Sequence, residues 1–226
     1  MTVGAIDLRG LVLKSGSHLT TSPDVCVMEC VAILACAVKA PEPVPTWEAA
    51  LAQFADCKTD RPPDACRVLT RFMTRLNDGV DDDERQRLVP YALTLIGTRA
   101  SWDVEMRRAY VFADAAVRIF APLALEARGL TAHAAPLRAA APIVNKKTAA
   151  AGSKKARAAA AAYAADAAAY AATATNCSSS TAAYAALTAA DAATDATDAA
   201  ARARLVHEAL AAVDRAVAIT ADEVRA

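Results

Sequence analysis

Residues 25–39 read VCVMECVAILACAVK and decide the fold, because apolar side chains occupy nearly every face of the helix that they would form. A helix that is apolar all round is buried in the interior of a protein. Ser22 and Asp24 are candidate N-caps for this helix, and the proline-rich run PEPVP at 41–45 would end it. The stretch therefore predicts a central core helix at about 24–39.

Further helices are predicted on the C-terminal side of this core helix. Thr46 is placed to cap a second helix that runs to about Cys57. In a third helix, at about 64–77, apolar residues recur with the i, i+3, i+4, i+7 spacing of one buried face. A long helix over 101–129 should bend at Pro122, which cannot donate a backbone hydrogen bond. The buried face of the third helix consists of Val68, Leu69, Phe72, Met73 and Leu76.

The composition changes after residue 142 and divides the predicted fold. The run NKKTAAAGSKKAR is basic and predicts a hinge or linker at 143–155. Alanine, the best helix former, dominates 156–226 and predicts helix by propensity. The polar run TNCSSST at 175–181 should interrupt it, because Asn and Ser compete with the helical backbone. We therefore expect an all-α protein with a multi-helix N-terminal domain, 1–142, and an alanine-rich, hairpin or coiled-coil-like C-terminal appendage.

The alanine-rich appendage carries a candidate interaction seam. Tyrosines 163, 170 and 184 share a seven-residue spacing with Cys177, which places all four side chains along one side of a helix. The last segment of the chain adds an apolar stripe. We expect the seam to pack within a hairpin or between chains, so the partners are a second copy of this chain or another protein. Its residues are Tyr163, Tyr170, Tyr184, Val206, Leu210, Val213 and Val217.

Charge and hydropathy exclude several classes of partner. Lys plus Arg and Asp plus Glu each number 25, so the net charge near zero gives no bulk attraction to nucleic acid or membranes. No stretch approaches the roughly 18 uninterrupted apolar residues of a membrane span. The N-terminal stretch MTVGAIDLRGLVLK carries charged Asp7 and Arg9, unlike a signal peptide. We expect a cytoplasmic protein whose six cysteines are reduced thiols.

A group of polar residues around the start of the core helix is the candidate functional site. A buried carboxylate is costly unless it is paired or binds a cation, and Glu29 has apolar neighbours on both sides. We name this group the candidate polar cluster. It consists of His18, Asp24, Cys26, Glu29, Cys66, Asn77 and Asp78.

Two interpretations of Glu29 stay open. In the first, Glu29 binds a divalent metal together with His18 and Cys26, because imidazole, thiolate and carboxylate are zinc donors. The cysteine spacing matches no standard zinc pattern such as C-x2-C. In the second, an arginine of the third helix pairs with Glu29, and the cysteines are small core residues. The candidate arginines are Arg67, Arg71 and Arg75.

The stretches CVMECVAIL, DRPPDACRVLTRFMTRLND and DDERQRLVPYALTLIGTR, within about 15–100, resemble an uncharacterised family of high-GC bacteria and their phages. Its members carry a His before a CVME helix, then a D-H-P-x-C segment, an N-D turn and a G-T-R. Arg61 departs from the pattern, which has His there. The resemblance implies grouping and no activity. The matching residues are His18, Cys26, Glu29, Asp60, Cys66, Asn77, Asp78 and Gly97.

The sequence assigns no catalytic residue. It has three histidines and lacks G-x-S-x-G, G-x-G-x-x-G and Walker motifs. No cofactor is expected apart from the divalent metal of the first interpretation. We therefore expect a non-catalytic helical interaction or regulatory protein that uses its alanine-rich helices. The alternative is a metal- or thiol-dependent enzyme built on His18, Cys26, Glu29 and Cys66.

Overall fold

The computed structural model describes residues 6–16, 18–19, 21–159 and 199–220, and within them the fold is all-α, as predicted. A 3-10 turn, Ala55–Cys57, follows the second helix, and a π-helical turn, Ala116–Phe120, joins the sixth helix to the seventh. The helices are α1 Val27–Val38, α2 Trp47–Phe54, α3 Arg67–Gly79, α4 Asp82–Gln86, α5 Tyr91–Thr94, α6 Trp102–Ala115, α7 Ala121–Ala127, α8 Thr131–Arg138, α9 Lys146–Ala158 and α10 Ala199–Ala218.

The described residues form two compact units. One comprises the residues up to Cys66 together with Met73–Arg99, and the other comprises Arg67–Phe72 and the residues from Ala100 onward. The chain thus divides at positions other than the predicted boundary at 142. The difference arises because the sequence boundary followed composition, whereas a compact unit is defined by packing.

In the first unit, α1 is the predicted buried core helix. All of its residues except Cys36 and Val38 are buried, and it packs against α2, the 3-10 turn and α5. The predicted N-caps Ser22 and Asp24 are wrong, because the helix starts later and Cys26 is its N-cap. The predicted cap of α2 is confirmed, since the Thr46 hydroxyl accepts the Ala49 N–H at 3.2 Å.

The predicted apolar face of α3 is confirmed. Each of its five residues is at most 3 % exposed, whereas Arg67 and Arg71 on the other side of the helix are exposed. The pattern was reliable because the helical period alone decides which residues share a face.

In the second unit, α6, the π-helical turn and α7 form one continuous helical stretch, from Trp102 to Ala127. The π-helical turn ends two residues before Pro122, where the sequence predicts a bend, and that bend stays a prediction. A proline removes one i→i−4 hydrogen bond from a helix, so Pro122 leaves one backbone carbonyl of this stretch without its helical partner.

The segment predicted as a basic hinge is helix α9, so that prediction is wrong. Asn145 caps the helix and forms a reciprocal capping box with Thr148. The basic side chains of the segment all point to solvent. Its small residues form a buried face at i, i+3, i+4 and i+7, and a Cβ on Gly152 would lie 2.6 Å from Ile143 Cδ1. This face consists of Ala149, Gly152, Ser153 and Ala156.

The last helix, α10, packs against α6 and α7 in the same unit. Arg108 of α6 is buried, and its guanidinium donates to the carbonyls of Ala216 at 2.9 Å and Ile219 at 3.1 Å. These bonds attach the guanidinium to carbonyls at the C-terminus of α10, where helical carbonyls lack their usual intrahelical partners. Among the described helices, none is both long enough and apolar enough to cross a membrane.

The candidate interaction seam is only partly described. Val206, Leu210 and Val213 are buried within the second unit, and Val217 is half-buried. This part of the seam therefore packs on the chain's own helices. The other predicted seam residues, Tyr163, Tyr170 and Tyr184, lie outside the described residues, as does the predicted break at 175–181.

Candidate functional site

The start of α1 places Glu29 in the first helical turn. Cys26 has extended backbone angles, and its sulfur accepts the Glu29 N–H at 3.5 Å. In return, the Glu29 carboxylate accepts the Cys26 N–H at 2.8 Å, which completes a capping box. The carboxylate therefore stands at the positive end of the helix dipole, where a negative charge is favourable.

The buried Glu29 carboxylate is held by N–H donors from the segment before the helix. Its Oε1 accepts the backbone N–H of His18 at 2.7 Å, and its Oε2 lies 2.9 Å from the His18 ring nitrogen Nδ1. The prediction that Arg67, Arg71 or Arg75 pairs with Glu29 is wrong. The physical reason is that Glu29 sits at a helix terminus, where unpaired backbone N–H groups are close enough to satisfy it.

Hydrogen bonding keeps Glu29 ionised. Burial tends to raise its pKa, but the N–H donors of His18 and Cys26, the His18 ring and the positive charge of Lys58 together hold the pKa below its usual value. An ionised carboxylate only accepts hydrogen bonds. His18 Nδ1 is therefore the donor of its hydrogen bond to Oε2.

Lys58 binds the backbone of the segment that precedes α1. Its ammonium donates to the backbone carbonyls of Leu19 at 2.9 Å, Ser22 at 3.2 Å and Asp24 at 2.5 Å, and the residue is 8 % exposed. We call these three oxygens the carbonyl cage. An ammonium has three N–H donors, so the cage uses all of them. Through these bonds, Lys58 holds the segment that carries His18 close to the end of the 3-10 turn.

Asn77 ties α3 to the same region. It is fully buried, its Oδ1 accepts the Val27 N–H at 3.2 Å, and its Nδ2 donates to the Lys14 carbonyl at 2.8 Å. The neighbouring Asp78 accepts the Gly16 N–H at 2.7 Å. The predicted N-D pair thus connects the arm before α1 to the N-terminus of α1, and both residues act as hydrogen-bonding partners of backbone groups.

The structure brings only part of the candidate polar cluster together. His18 and Cys26 each contact Glu29, whereas Asp24 contributes its backbone carbonyl and its side chain is exposed. Cys66 lies at the start of α3, and its N–H donates to the Thr98 hydroxyl at 3.0 Å. Cys66 therefore takes part in a different local hydrogen-bond arrangement from that of Glu29.

The thiols at the site are poor nucleophiles. Burial, together with the nearby Glu29 charge, raises the pKa of Cys26 to about 12, and burial also raises the pKa of Cys30. Only the thiolate form is a strong nucleophile or metal ligand. The expectation that all six cysteines are reduced is wrong for Cys36 and Cys57, which form a disulfide.

The geometry offers little room for a metal at His18, Cys26 and Glu29. Both Glu29 oxygens already accept N–H groups, and the Cys26 sulfur is engaged as a helix cap. Within the described part of the chain, no group of three or more His, Cys, Asp or Glu side chains is arranged to hold a metal ion. A divalent metal would have to displace the existing hydrogen bonds.

Sequence reasoning missed Lys58 and Arg85. Arg85 is buried, and it donates to the carbonyls of Asn77 at 2.8 Å and Val80 at 2.6 Å and pairs with Asp82. The i, i+3 spacing of Asp82 and Arg85 is a signal that could have indicated one of these contacts. Lys58 gives no such signal, because its partners are backbone carbonyls far away in sequence.

The pKa of Glu29 predicts a specific loss of stability in acid. The folded chain keeps Glu29 ionised at pH values where the unfolded chain protonates it. The stabilisation is therefore complete above the unfolded pKa and is lost as the pH falls through the folded one. Between about pH 5 and 2, the free energy of unfolding should fall more steeply for the wild type than for Glu29→Gln. Urea unfolding at several pH values measures this difference, and equal slopes would contradict the account.

Comparison with protein-family models, curated proteins and solved structures finds no match to this chain. The resemblance to a family of high-GC bacteria and their phages therefore stays a prediction. The site must be interpreted from its own contacts, and these describe a network in which a carboxylate, an ammonium and an amide each bind backbone groups at the start of α1.

Proposed function

We propose that this chain is a non-catalytic helical interaction protein that associates through its alanine-rich segment, residues 160–198. A second copy of the chain is the occupant that we favour, and a different protein partner is the other outcome of the test. Two properties support the proposal. In the second unit, the helices on both sides of the segment are packed, and in the candidate polar cluster the side chains are engaged in hydrogen bonds.

The observation that carries the proposal is the packing of the two helices that flank the alanine-rich segment. The preceding helix, α9, ends at Ala158, and the following helix, α10, begins at Ala199. Both helices bury their small or apolar faces in the second unit, and Arg108 fixes the end of α10. The helices before and after residues 160–198 therefore both pack in the second unit, which supports association through the sequence between them.

The sequence of the segment suits association with its own copy. Tyr163, Tyr170 and Tyr184 repeat at heptad spacing with small residues between them, so two identical helices could approach closely along this seam. Tyrosine provides a large apolar face with a polar tip, which is why it is enriched at interfaces. A repeat of one residue type on one face is complementary to itself in a symmetric dimer.

The contacts of the candidate polar cluster support a structural role over the alternative of a metal- or thiol-dependent enzyme. Glu29 is held by His18 and by backbone N–H groups, and the Cys26 thiol stays protonated at neutral pH. In nucleophilic catalysis a His–carboxylate pair activates a thiol or hydroxyl beside it. Cys26 acts instead as the cap of α1.

Self-association is tested on the full chain by light scattering coupled to size exclusion over a dilution series. We expect a mass that is a multiple of 23.4 kDa, and the combined variant Tyr163→Ala, Tyr170→Ala and Tyr184→Ala should return it to the monomer value. A control with Thr175→Ala and Ser179→Ala changes positions out of the seven-residue register and should keep the wild-type mass. A wild type that is monomeric at every concentration would contradict self-association and would direct the search to another protein.

The proposal keeps the cytoplasmic location expected from the sequence. Stable disulfides are rare in that compartment, and those that occur there are usually transient. In that location, cellular dithiols would be able to reduce the disulfide between Cys36 and Cys57. The structural effect of that reduction depends on what the disulfide holds in the first unit.

A further inference from the structure

The disulfide joins the end of α1 to the 3-10 turn that precedes Lys58. Cys36 lies in the last turn of α1, and Cys57 is the last residue of the turn Ala55–Cys57. Both residues are half-buried, so each keeps part of its surface in contact with solvent. This exposure separates them from Cys26, Cys30 and Cys66, which are buried.

The residue after Cys57 is the one that occupies the carbonyl cage. The Lys58 N–H donates to the Ala55 carbonyl at 3.1 Å, so the backbone of Lys58 continues the short turn that the disulfide holds. Its ammonium binds the cage, and its charge helps to keep Glu29 ionised. The disulfide therefore constrains the backbone from which the Lys58 side chain reaches the segment that carries His18.

We infer that the Cys36–Cys57 disulfide is a redox-sensitive latch that controls the Lys58 contact with the carbonyl cage. In the oxidised chain, the latch keeps the 3-10 turn on α1 and Lys58 in the cage. Reduction frees the turn, Lys58 leaves the cage, and the backbone groups around His18 and Glu29 open to solvent. This inference stands independently of the proposed self-association, because it concerns the first unit alone.

A dithiol reduces the disulfide by two successive thiol–disulfide exchanges. A thiolate of the dithiol attacks one sulfur of the Cys36–Cys57 bond, which breaks and releases the other sulfur as a thiolate that takes up a proton. The second thiol of the dithiol then attacks the mixed disulfide and releases the remaining protein cysteine. Two electrons and two protons pass to the protein, which gains two thiols, and the dithiol becomes a disulfide.

Hydrogen–deuterium exchange on the full chain tests the latch, with dithiothreitol as the dithiol. The backbone N–H groups of His18, Cys26 and Lys58 should exchange about tenfold faster or more after reduction, because local opening sets their rate. Reoxidation should restore the slow exchange. The N–H groups of Cys66 and Arg99, which bind Thr98 and Asp64 in the same unit, serve as internal references and should change little.

A double variant, Cys36→Ser with Cys57→Ser, should show the fast exchange without reductant and should no longer respond to dithiothreitol. If it does not fold, the reduced and reoxidised wild type still decides the question. Unchanged exchange at His18 and Cys26 after complete reduction, verified by mass, would overturn the inference. An equal increase at the reference groups would also overturn it, because the disulfide would then stabilise the unit generally.

Discussion

Replacing Glu29 with alanine should lower the free energy of unfolding by about 3–5 kcal/mol, because buried donors lose their acceptor and each such loss costs about 1–3 kcal/mol. The carboxylate accepts the backbone N–H groups of His18 and Cys26 and the His18 ring N–H, and its side chain is 3 % exposed. The Cys26 N–H is buried and the His18 side chain is only 16 % exposed, so water replaces the lost acceptor poorly. Urea unfolding followed by circular dichroism measures the loss.

Two further variants make this prediction specific. Glu29→Gln retains one acceptor oxygen and should lose less stability than Glu29→Ala. Glu42→Ala changes an exposed glutamate in the same unit and should stay within about 0.5 kcal/mol of the wild type. A similar small loss for Glu29→Ala would mean that the carboxylate does not hold the start of α1.

Replacing Lys58 with methionine should lower the free energy of unfolding by about 2–4 kcal/mol. Methionine keeps the apolar stem but leaves the three oxygens of the carbonyl cage without their charged donor, and each hydrogen bond to a charged group contributes about 1.5–3 kcal/mol before the cage relaxes. The variant also removes a positive charge that favours the ionised form of Glu29. The same urea unfolding experiment measures the effect.

Lys39→Met is the matched control for Lys58. The Lys39 ammonium pairs with Asp64, but its side chain is 62 % exposed, and an exposed ion pair contributes only about 0–1 kcal/mol. We therefore expect a clear difference between the two lysines. If Lys58→Met and Lys39→Met cost the same, the carbonyl cage is not a stabilising contact.

Helix positions and buried faces could be predicted from the sequence because they depend on local periodicity. The apolar run of α1 and the spacing of Phe72 and Leu76 in α3 each indicate a buried face whatever the rest of the chain does. The polar group at the start of α1 was also predictable, since a carboxylate beside apolar residues requires a partner. The sequence alone identifies Glu29 as that carboxylate.

The partners of Glu29 could not be predicted, because they are set by the helix start and by contacts between distant segments. Placing the cap at Ser22 or Asp24 put Glu29 in the middle of the helix, where only a side chain or a cation could compensate it. With Cys26 as the cap, backbone N–H groups serve instead. The contact of Lys58 with the carbonyl cage joins residues more than thirty positions apart.

The basic hinge was mispredicted because composition was given more weight than spacing. The Lys-rich character of 145–157 is a property of its exposed face, while Ala149 and Gly152 belong to a buried one. Small residues give little hydrophobic signal, although their i, i+3, i+4, i+7 spacing was present in the sequence. The disulfide was missed for a related reason, since sequence spacing does not reveal which cysteines meet in space.

The most direct test of the central claim, that the network around Glu29 is structural, is metal analysis by mass spectrometry of protein purified without a metal-affinity column. We expect no stoichiometric divalent metal in the folded wild type, because the Glu29 oxygens and the Cys26 sulfur are engaged in hydrogen bonds. About one metal ion per chain, lost in Glu29→Gln, would contradict the account and make His18, Cys26 and Glu29 a metal centre.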